Sequence, residues 1–372
     1  MKLARIIPLA AVAVGIASSC QALDLPDGIG SGFVYTMTNA ADNAILEFHR
    51  APDGRLSQTA LVSTGGTGTG ANLGSDSALA LSAGARWLFA VNAASNSISV
   101  LERSATGLKL VNTVSSGGTQ PESVAVSGDL VYVLNDGAPA NISGFFFDGE
   151  RGVLVPIENS SRPLSTAAPV APQIGFDNTG SVVFVTEKAT NLIDSFVIGD
   201  DDTPGSGNFQ NSNGQTPFGF AFDRRNHLIV SEAFGGAPNQ GAMSSYDVDD
   251  QGNIATISGS VSDLQTAPCW VAITRNGKFA YTSNTGDGVI TGYRISNHGE
   301  LSLLNPSGIS ATTGGAKSSP VDIALTRESR FLYSVNAGAG TLIGWRVQAD
   351  GQLISLQQVL RLPLGATGLV AR

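Results

Sequence analysis

Short apolar runs of four to seven residues, rich in β-branched and aromatic side chains, alternate along the chain with clusters of Gly, Asn, Asp and Ser. Runs of that length and make-up predict strands; buried helices need longer ones. Residues 319–347, SPVDIALTRESRFLYSVNAGAGTLIGWRV, show the unit whole. A small-residue strand at 321–325 leads through a polar turn at 328–330 to a second strand, 331–335, closed by Asn336. A Gly-rich turn and a third strand at 342–347 follow. Aligned on the end of the second strand, the unit recurs seven times, closing at Asn39, Asn92, Asn135, Glu187, Glu232, Asn284 and Asn336. The intervals of 53, 43, 52, 45, 52 and 52 residues fit one four-stranded blade per copy. The pattern predicts an all-β, seven-bladed β-propeller over residues 33–372.

From the second copy on, an innermost strand precedes each second strand: 78–82, 123–126, 174–176, 219–222, 271–274 and 321–325. Five of these follow a proline (Pro121, Pro172, Pro217, Pro268, Pro320), which pre-sets an extended entry without removing a ladder hydrogen bond. The first copy has no such strand upstream. Residues 362–372, LPLGATGLVAR, read as an inner strand with nothing after it, so the C-terminal strand is expected to complete blade 1 beside residues 33–39 and close the ring. Hairpins carrying Asp53-Gly54 and Asp350-Gly351 supply the positive φ of tight turns. Two longer insertions, 199–215 and 233–241, are expected as loops on one face.

Composition changes the picture in two places. There are 45 Gly, and only 14% of residues are charged, which suits many tight turns. Basic residues number 21 against 30 acidic ones, so nucleic acid and anionic membranes are poor partners. Residues 1–22 read as a secretory signal peptide: Lys2 and Arg5, an apolar run at 6–16, and a small residue, Ala22, at the end. Residues 23–32 read as a linker. The apolar run is too short to span a bilayer, and the expected location is secreted or periplasmic. Cys20 leaves with such a leader, so Cys269 has no disulfide partner. The chain is read as a monomer without cofactor.

Glu187 and Glu232 interrupt a series that is otherwise Asn, at one height in the ring. A carboxylate there can act as a general base, and both are candidate catalytic residues. The alternative is that Asn and Glu alike close the turn after the strand. Gln173, Glu122, Trp270 and Asp322 fall at inner-strand starts, near the channel mouth, with Asn135 and Asn284 at the level of the carboxylates. These six are candidate ligand contacts, Trp270 as a stacking face or else packed between blades. Cys269 has no His in any motif position and reads as an inert thiol. His49, His227 and His298 form no metal-ligand pattern, and the acidic turns at 200–202 and 247–250 lack calcium-loop spacing. Residues 65–71, GGTGTGA, are followed by no Lys and are not a phosphate loop.

The stretches PFGFAFDRRNHLIVSEAFGG, CWVAITRNGKFAYTSNTGDGVITGYRI and PVDIALTRESRFLYSVNAGAGTLIGWRV resemble the seven-bladed lactonase-type propellers. That group includes propeller 6-phosphogluconolactonases and 3-carboxy-cis,cis-muconate lactonising enzymes. The resemblance implies a lactone hydrolase, or an intramolecular lyase or isomerase, acting on a small lactone or sugar-acid-like ligand at the central channel. It also implies His and Arg at inner-strand starts, but the matching positions hold Gln173, Phe218 and Cys269-Trp270. Of the family's functional positions the Glu at 232 is retained. A non-catalytic extracellular binding or adhesion propeller, with a surface ligand, is the competing reading. A cation from another blade, among Arg224, Arg225, Lys188 and Arg361, would favour catalysis; a mouth plugged by Phe218 and Trp270 would favour binding.

Overall fold

The computed structural model describes residues 30–372, so the leader and most of the linker assigned from sequence lie outside the described residues. Seven antiparallel sheets, each with a four-stranded meander, form the blades. Blade 1 runs from the axis outwards as Thr367–Ala371, Gly32–Met37, Ala44–Arg50 and Leu56–Ser63. The other innermost strands are Leu79–Leu81, Thr119–Ser127, Gln173–Phe176, Pro217–Phe222, Pro268–Ile273 and Pro320–Leu325, in blades 2 to 7. Pro217, Pro268 and Pro320 each stand opposite the residue that ends the second strand: Glu232, Asn284 and Asn336. Every inner strand therefore begins on the face where the second strands end, here called the upper face.

Second strands are buried throughout, as in Trp87–Asn92, Val182–Glu187 and Phe331–Asn336. Neighbouring blades cover both of their faces, which is why they read as continuous apolar runs. A tyrosine three residues before the closing Asn ties a blade to the next. Tyr132 donates to Asp202 O at 2.8 Å, Tyr281 to Gly351 O at 2.7 Å and Tyr333 to Gly54 O at 2.6 Å. Two of the acceptors belong to the Asp-Gly hairpins. Gly54 and Gly351 have φ of 93° and 89°, and a Cβ on either would meet the Phe331 or Phe279 ring of the preceding blade. Only glycine satisfies both the turn and the blade packing there.

The ring closes as the sequence predicts. Thr367–Ala371 pairs antiparallel with Gly32–Met37, and Phe33 exchanges both backbone hydrogen bonds with Arg372, at 2.9 and 2.8 Å. Buried Arg50 donates Nε to Arg372 O at 3.0 Å, and the Gln358 amide of blade 7 clasps both backbone groups of Leu56 at 2.7 Å each.

The two insertions depart from expectation. Residues 199–207 join a third strand to a fourth on the lower face, and Asn208–Asn211 is itself the fourth strand of blade 4. Residues 233–241 join a second strand to a third on the upper face. Meander direction puts these connections on opposite faces, a parity that segment length does not reveal. Among the described residues no helix is long and apolar enough to cross a membrane.

Candidate functional site

The residues that end the second strands act first as staples. Asn92 Nδ2 donates to Ser99 Oγ at 2.8 Å, Asn135 Nδ2 to Ser143 Oγ at 3.2 Å and Asn284 Nδ2 to Thr291 Oγ1 at 2.8 Å. Each bond joins the second strand to the third in one blade. Glu232 inverts the polarity: it accepts from Ser244 Oγ at 2.5 Å, Ser260 Oγ at 2.6 Å and the Gly214 N–H at 2.8 Å. Glu187 accepts from the Ser165 N–H at 3.0 Å and from the hydroxyls of Ser165 and Thr190. Both carboxylates have 0% exposure. In blade 4 the third-strand hydroxyl is replaced by Asp194. Neither of its oxygens meets a protein donor, and burial, then Glu187, push it up to about 10. A protonated Asp194 therefore donates to Glu187, giving a carboxyl–carboxylate staple.

The upper mouth is closed. Residues 74–77, which precede the inner strand of blade 2, cross it and bond to three other blades. Lys188 Nζ of blade 4 donates to Gly74 O at 2.9 Å, and Trp270 Nε1 of blade 6 donates to Ser75 O at 2.9 Å. Ser75 Oγ donates to Glu122 O of blade 3 at 2.9 Å, and the Asp76 N–H to Pro172 O of blade 4 at 2.8 Å. Trp270 and Phe218, 2% and 6% exposed, pack tilted against each other with ring centres 4.9 Å apart. Trp270 is thus a wall of the mouth and offers no open stacking face. Gln173 bridges blades, accepting from Phe220 N at 2.6 Å and donating to Phe220 O at 2.9 Å.

Asp322, at the start of the inner strand of blade 7, lies within electrostatic reach of Asp76 in the crossing segment. Asp322 Oδ2 is buried without a protein partner, while backbone N–H groups of Ile323, Gly368 and Leu369 face its carboxyl. Burial pushes Asp76 up to about 7, and burial with the Asp76 charge pushes Asp322 well above the usual carboxylate range. On the lower face the channel opens into a polar cavity of about 480 Å³ whose lining includes Ser77, Gln173 and Asn178.

A second cluster stands at the rim. Lys188, from the end of the second strand of blade 4, lies over the Phe218 ring at 4.7 Å, within electrostatic reach of Glu122 and Asp136 of blade 3. Burial holds its ammonium below the ordinary lysine value, with Glu122 opposing. Burial pushes Glu122 up to about 7, against the Gln120 amide that donates to it at 2.6 Å. Burial also raises Asp136, against the Ala171 N–H donating at 2.7 Å. Of the predicted residues the structure brings Glu122 to this cluster; Gln173, Trp270 and Asp322 lie below it, and Asn135, Asn284, Glu187 and Glu232 lie inside blades. Asp76 escaped the sequence reading because blade 2 lacks the proline that marks five other inner strands. Lys188 was one of four cations with no reason to prefer it. Burial pushes the Cys269 thiol up to about 12, consistent with an unreactive group. Among the described residues no group of three or more His, Cys, Asp and Glu could hold a metal ion.

A carboxyl raised on folding keeps its proton after the unfolded chain has lost its own, so stability falls as pH rises between the two values. Asp76 and Glu122 at about 7 and Asp263 at about 6 place that loss between about pH 4 and 7. The melting temperature should be higher at pH 5 than at pH 8, by roughly 2–4 °C for each kcal/mol involved. Calorimetry across that range checks it; a flat or rising profile contradicts the buried-acid assignment.

A family model described as "Lactonase, 7-bladed beta-propeller" matches residues 31–170 and 231–366. No curated protein matches the sequence. A putative 6-phosphogluconolactonase from Bacteroides uniformis is 17% identical with a TM-score of 0.74, covering 92% of this chain and 99% of that one. The periplasmic gluconolactonase of Pseudomonas aeruginosa is 14% identical, also with a TM-score of 0.74, covering 92% and 99%. A chain of a nidogen/laminin complex is similar at 14% identity and a TM-score of 0.51, over 77% and 97%. At these identities the structural likeness establishes the fold alone.

Proposed function

We propose, for a chain that belongs to the seven-bladed β-propeller lactonase family, that it opens a small polar lactone at the rim of the upper mouth. Glu122 serves as the base and Lys188 as the oxyanion partner. The observation that carries this reading is the Lys188 ammonium, fixed on Gly74 O beside Glu122. It supplies the cation missing from the inner-strand starts.

Glu122 takes a proton from water, and the resulting hydroxide adds to the lactone carbonyl. The negative charge gathering on the carbonyl oxygen faces Lys188. The ring C–O bond then breaks, and the leaving alkoxide takes the proton back from Glu122, giving the hydroxy acid. A carboxyl near 7 suits both halves of that cycle, being easily charged and easily neutralised at neutral pH. Glu187 and Glu232 hold the blades in this scheme, and an exported setting is supported by the leader-like residues 1–22.

The test is turnover of a panel of lactones by the wild type, Glu122→Gln and Lys188→Met. The first change should lower kcat/KM by about 10²–10⁴-fold, and the second by about 10²–10³-fold. Turnover unaffected by Glu122→Gln, or no turnover of any lactone by the wild type, rejects the reading. The second result favours a binding propeller. One observation supports that reading independently: Trp270, Phe218 and residues 74–77 fill the mouth.

A further inference from the structure

We infer that the lower face of the ring carries a binding site for a small polyanion, centred on a cleft between blades 6 and 7 that Arg275 and Arg330 flank. The turns that join inner to second strands lie on this face. In blades 5, 6 and 7 they read DRRNH at 223–227, TRNGK at 274–278 and TRESR at 326–330. Six Lys and Arg stand there against two acids, and all six are exposed: Arg224, Arg225, Arg275, Lys278, Arg327 and Arg330. One acid, Asp223, is buried against His227 Nδ1 at 3.0 Å, and the other, Glu328, is paired with Arg275. The matching turns of blades 3 and 4, at 127–129 and 177–181, hold no Lys or Arg. In a chain with a formal net charge of −9 this is a localised positive arc.

Contacts from turn to turn hold the arc in place. Asn226 Oδ1 of blade 5 accepts from the Asn178 N–H of blade 4 at 2.8 Å, and Ser329 Oγ of blade 7 from the Arg275 N–H of blade 6 at 2.8 Å. Between them, Gly277 of blade 6 has φ of 69°, and an added Cβ would stand 2.6 Å from Arg224 Cγ, so the Arg224 stem packs on it. Within the turns, Thr274 Oγ1 accepts from the Phe279 N–H, and Thr326 Oγ1 from those of Arg330 and Phe331, each at 3.1 Å. The basic stems thus rise from fixed backbone. Between the turns of blades 6 and 7 opens a cleft of about 700 Å³, lined by Arg275, Asn276, Phe279, Glu328, Arg330 and Gln348 among others.

The chemistry of the ligand follows from this setting. Arginine forks match phosphate and carboxylate groups alike, and an arc over three blades can engage more than one of them. The cleft bounds the ligand to a small molecule. Further out on the same face, the hairpins of blades 5 to 7 carry Asp249, Asp250, Glu300 and Asp350 and no Lys or Arg. Arg294 and Arg346, exposed at the lower ends of the third strands, extend the positive zone only to that acidic margin. An extended anionic polymer or membrane meets the margin; a small polyanion seated inside it does not. Glu328 occupies Arg275 until such a ligand displaces it. The site lies on the face opposite the rim and does not rest on the lactone reading.

Calorimetric titration of the intact protein with inositol hexakisphosphate, and separately with citrate, tests the site. Saturable binding of one ligand per chain is expected, weakening as salt rises. The tighter probe identifies the preferred anionic group as phosphate or carboxylate. Arg275→Gln and Arg330→Gln should each weaken binding about tenfold, while Arg361→Gln, on the upper face, should leave it unchanged. Glu328→Gln should tighten binding about threefold by releasing Arg275, a gain that damage to the fold cannot mimic. No saturable binding of either probe, or equal binding by the wild type and both cleft variants, overturns the proposal. So does sedimentation with phosphatidylglycerol vesicles without binding of the free probes, which would assign the arc to a membrane surface.

Discussion

Removing residues 364–372 should abolish cooperative folding of the propeller. That segment contains the innermost strand of blade 1, with Ala366, Thr367 and Leu369 all buried. Its loss strips one whole edge of Gly32–Met37 of its hydrogen-bond partners and leaves buried Arg50 without the Arg372 carbonyl. Blades 7 and 2 each lose a neighbour at the axis. The apolar term alone is about 2–5 kcal/mol for a buried leucine, and unpaired buried backbone groups add about 1–3 kcal/mol each. Those losses together approach the whole margin of about 5–15 kcal/mol that a folded chain has. Circular dichroism and calorimetry of the truncated protein should show no single sharp transition. A truncated chain melting like the full one would mean that the strand is decorative.

Glu232→Ala should cost about 3–5 kcal/mol of stability, a fall in melting temperature of about 10 °C, with turnover per folded molecule kept. The carboxylate receives three hydroxyls and a backbone N–H, and alanine leaves all four donors facing a cavity. The hydroxyls can rotate to other acceptors; the Gly214 N–H cannot. Glu232→Gln keeps the volume and one acceptor oxygen, so its cost should be smaller. The pair of variants separates two roles that sequence alone left open. Activity lost with the melt unchanged would return Glu232 to the chemistry.

The fold was legible because its evidence repeats. Seven copies of one strand–turn–strand unit fix the blade count, and five prolines fix where inner strands begin. An orphan strand at one end matches a blade missing one at the other. The site was less legible because nothing in it repeats. Glu122 belongs to blade 3 and Lys188 to blade 4, and their approach depends on the height at which each strand ends. Asp322 of blade 7 comes within electrostatic reach of Asp76, which precedes the inner strand of blade 2. Asp76 precedes the one inner strand, among those of blades 2 to 7, that no proline announces. Glu187 and Glu232 stood out as exceptions to an Asn series, yet the position makes the same strand-to-strand bond with either side chain. Exchanging an amide donor for a carboxylate acceptor only reverses which partner gives the hydrogen.

The seam between blades 1 and 7 also sets a timetable. Thr367, in the strand that completes the first blade, stands 331 residues after Thr36 in the strand it pairs with, so no nascent chain that stops short of it can present a finished ring. Until residues 367–371 arrive, Gly32–Met37 keeps an open edge. Closure is thereby deferred until that strand has been made. Until then the growing chain stays in an unclosed form whose open strand edges invite aggregation.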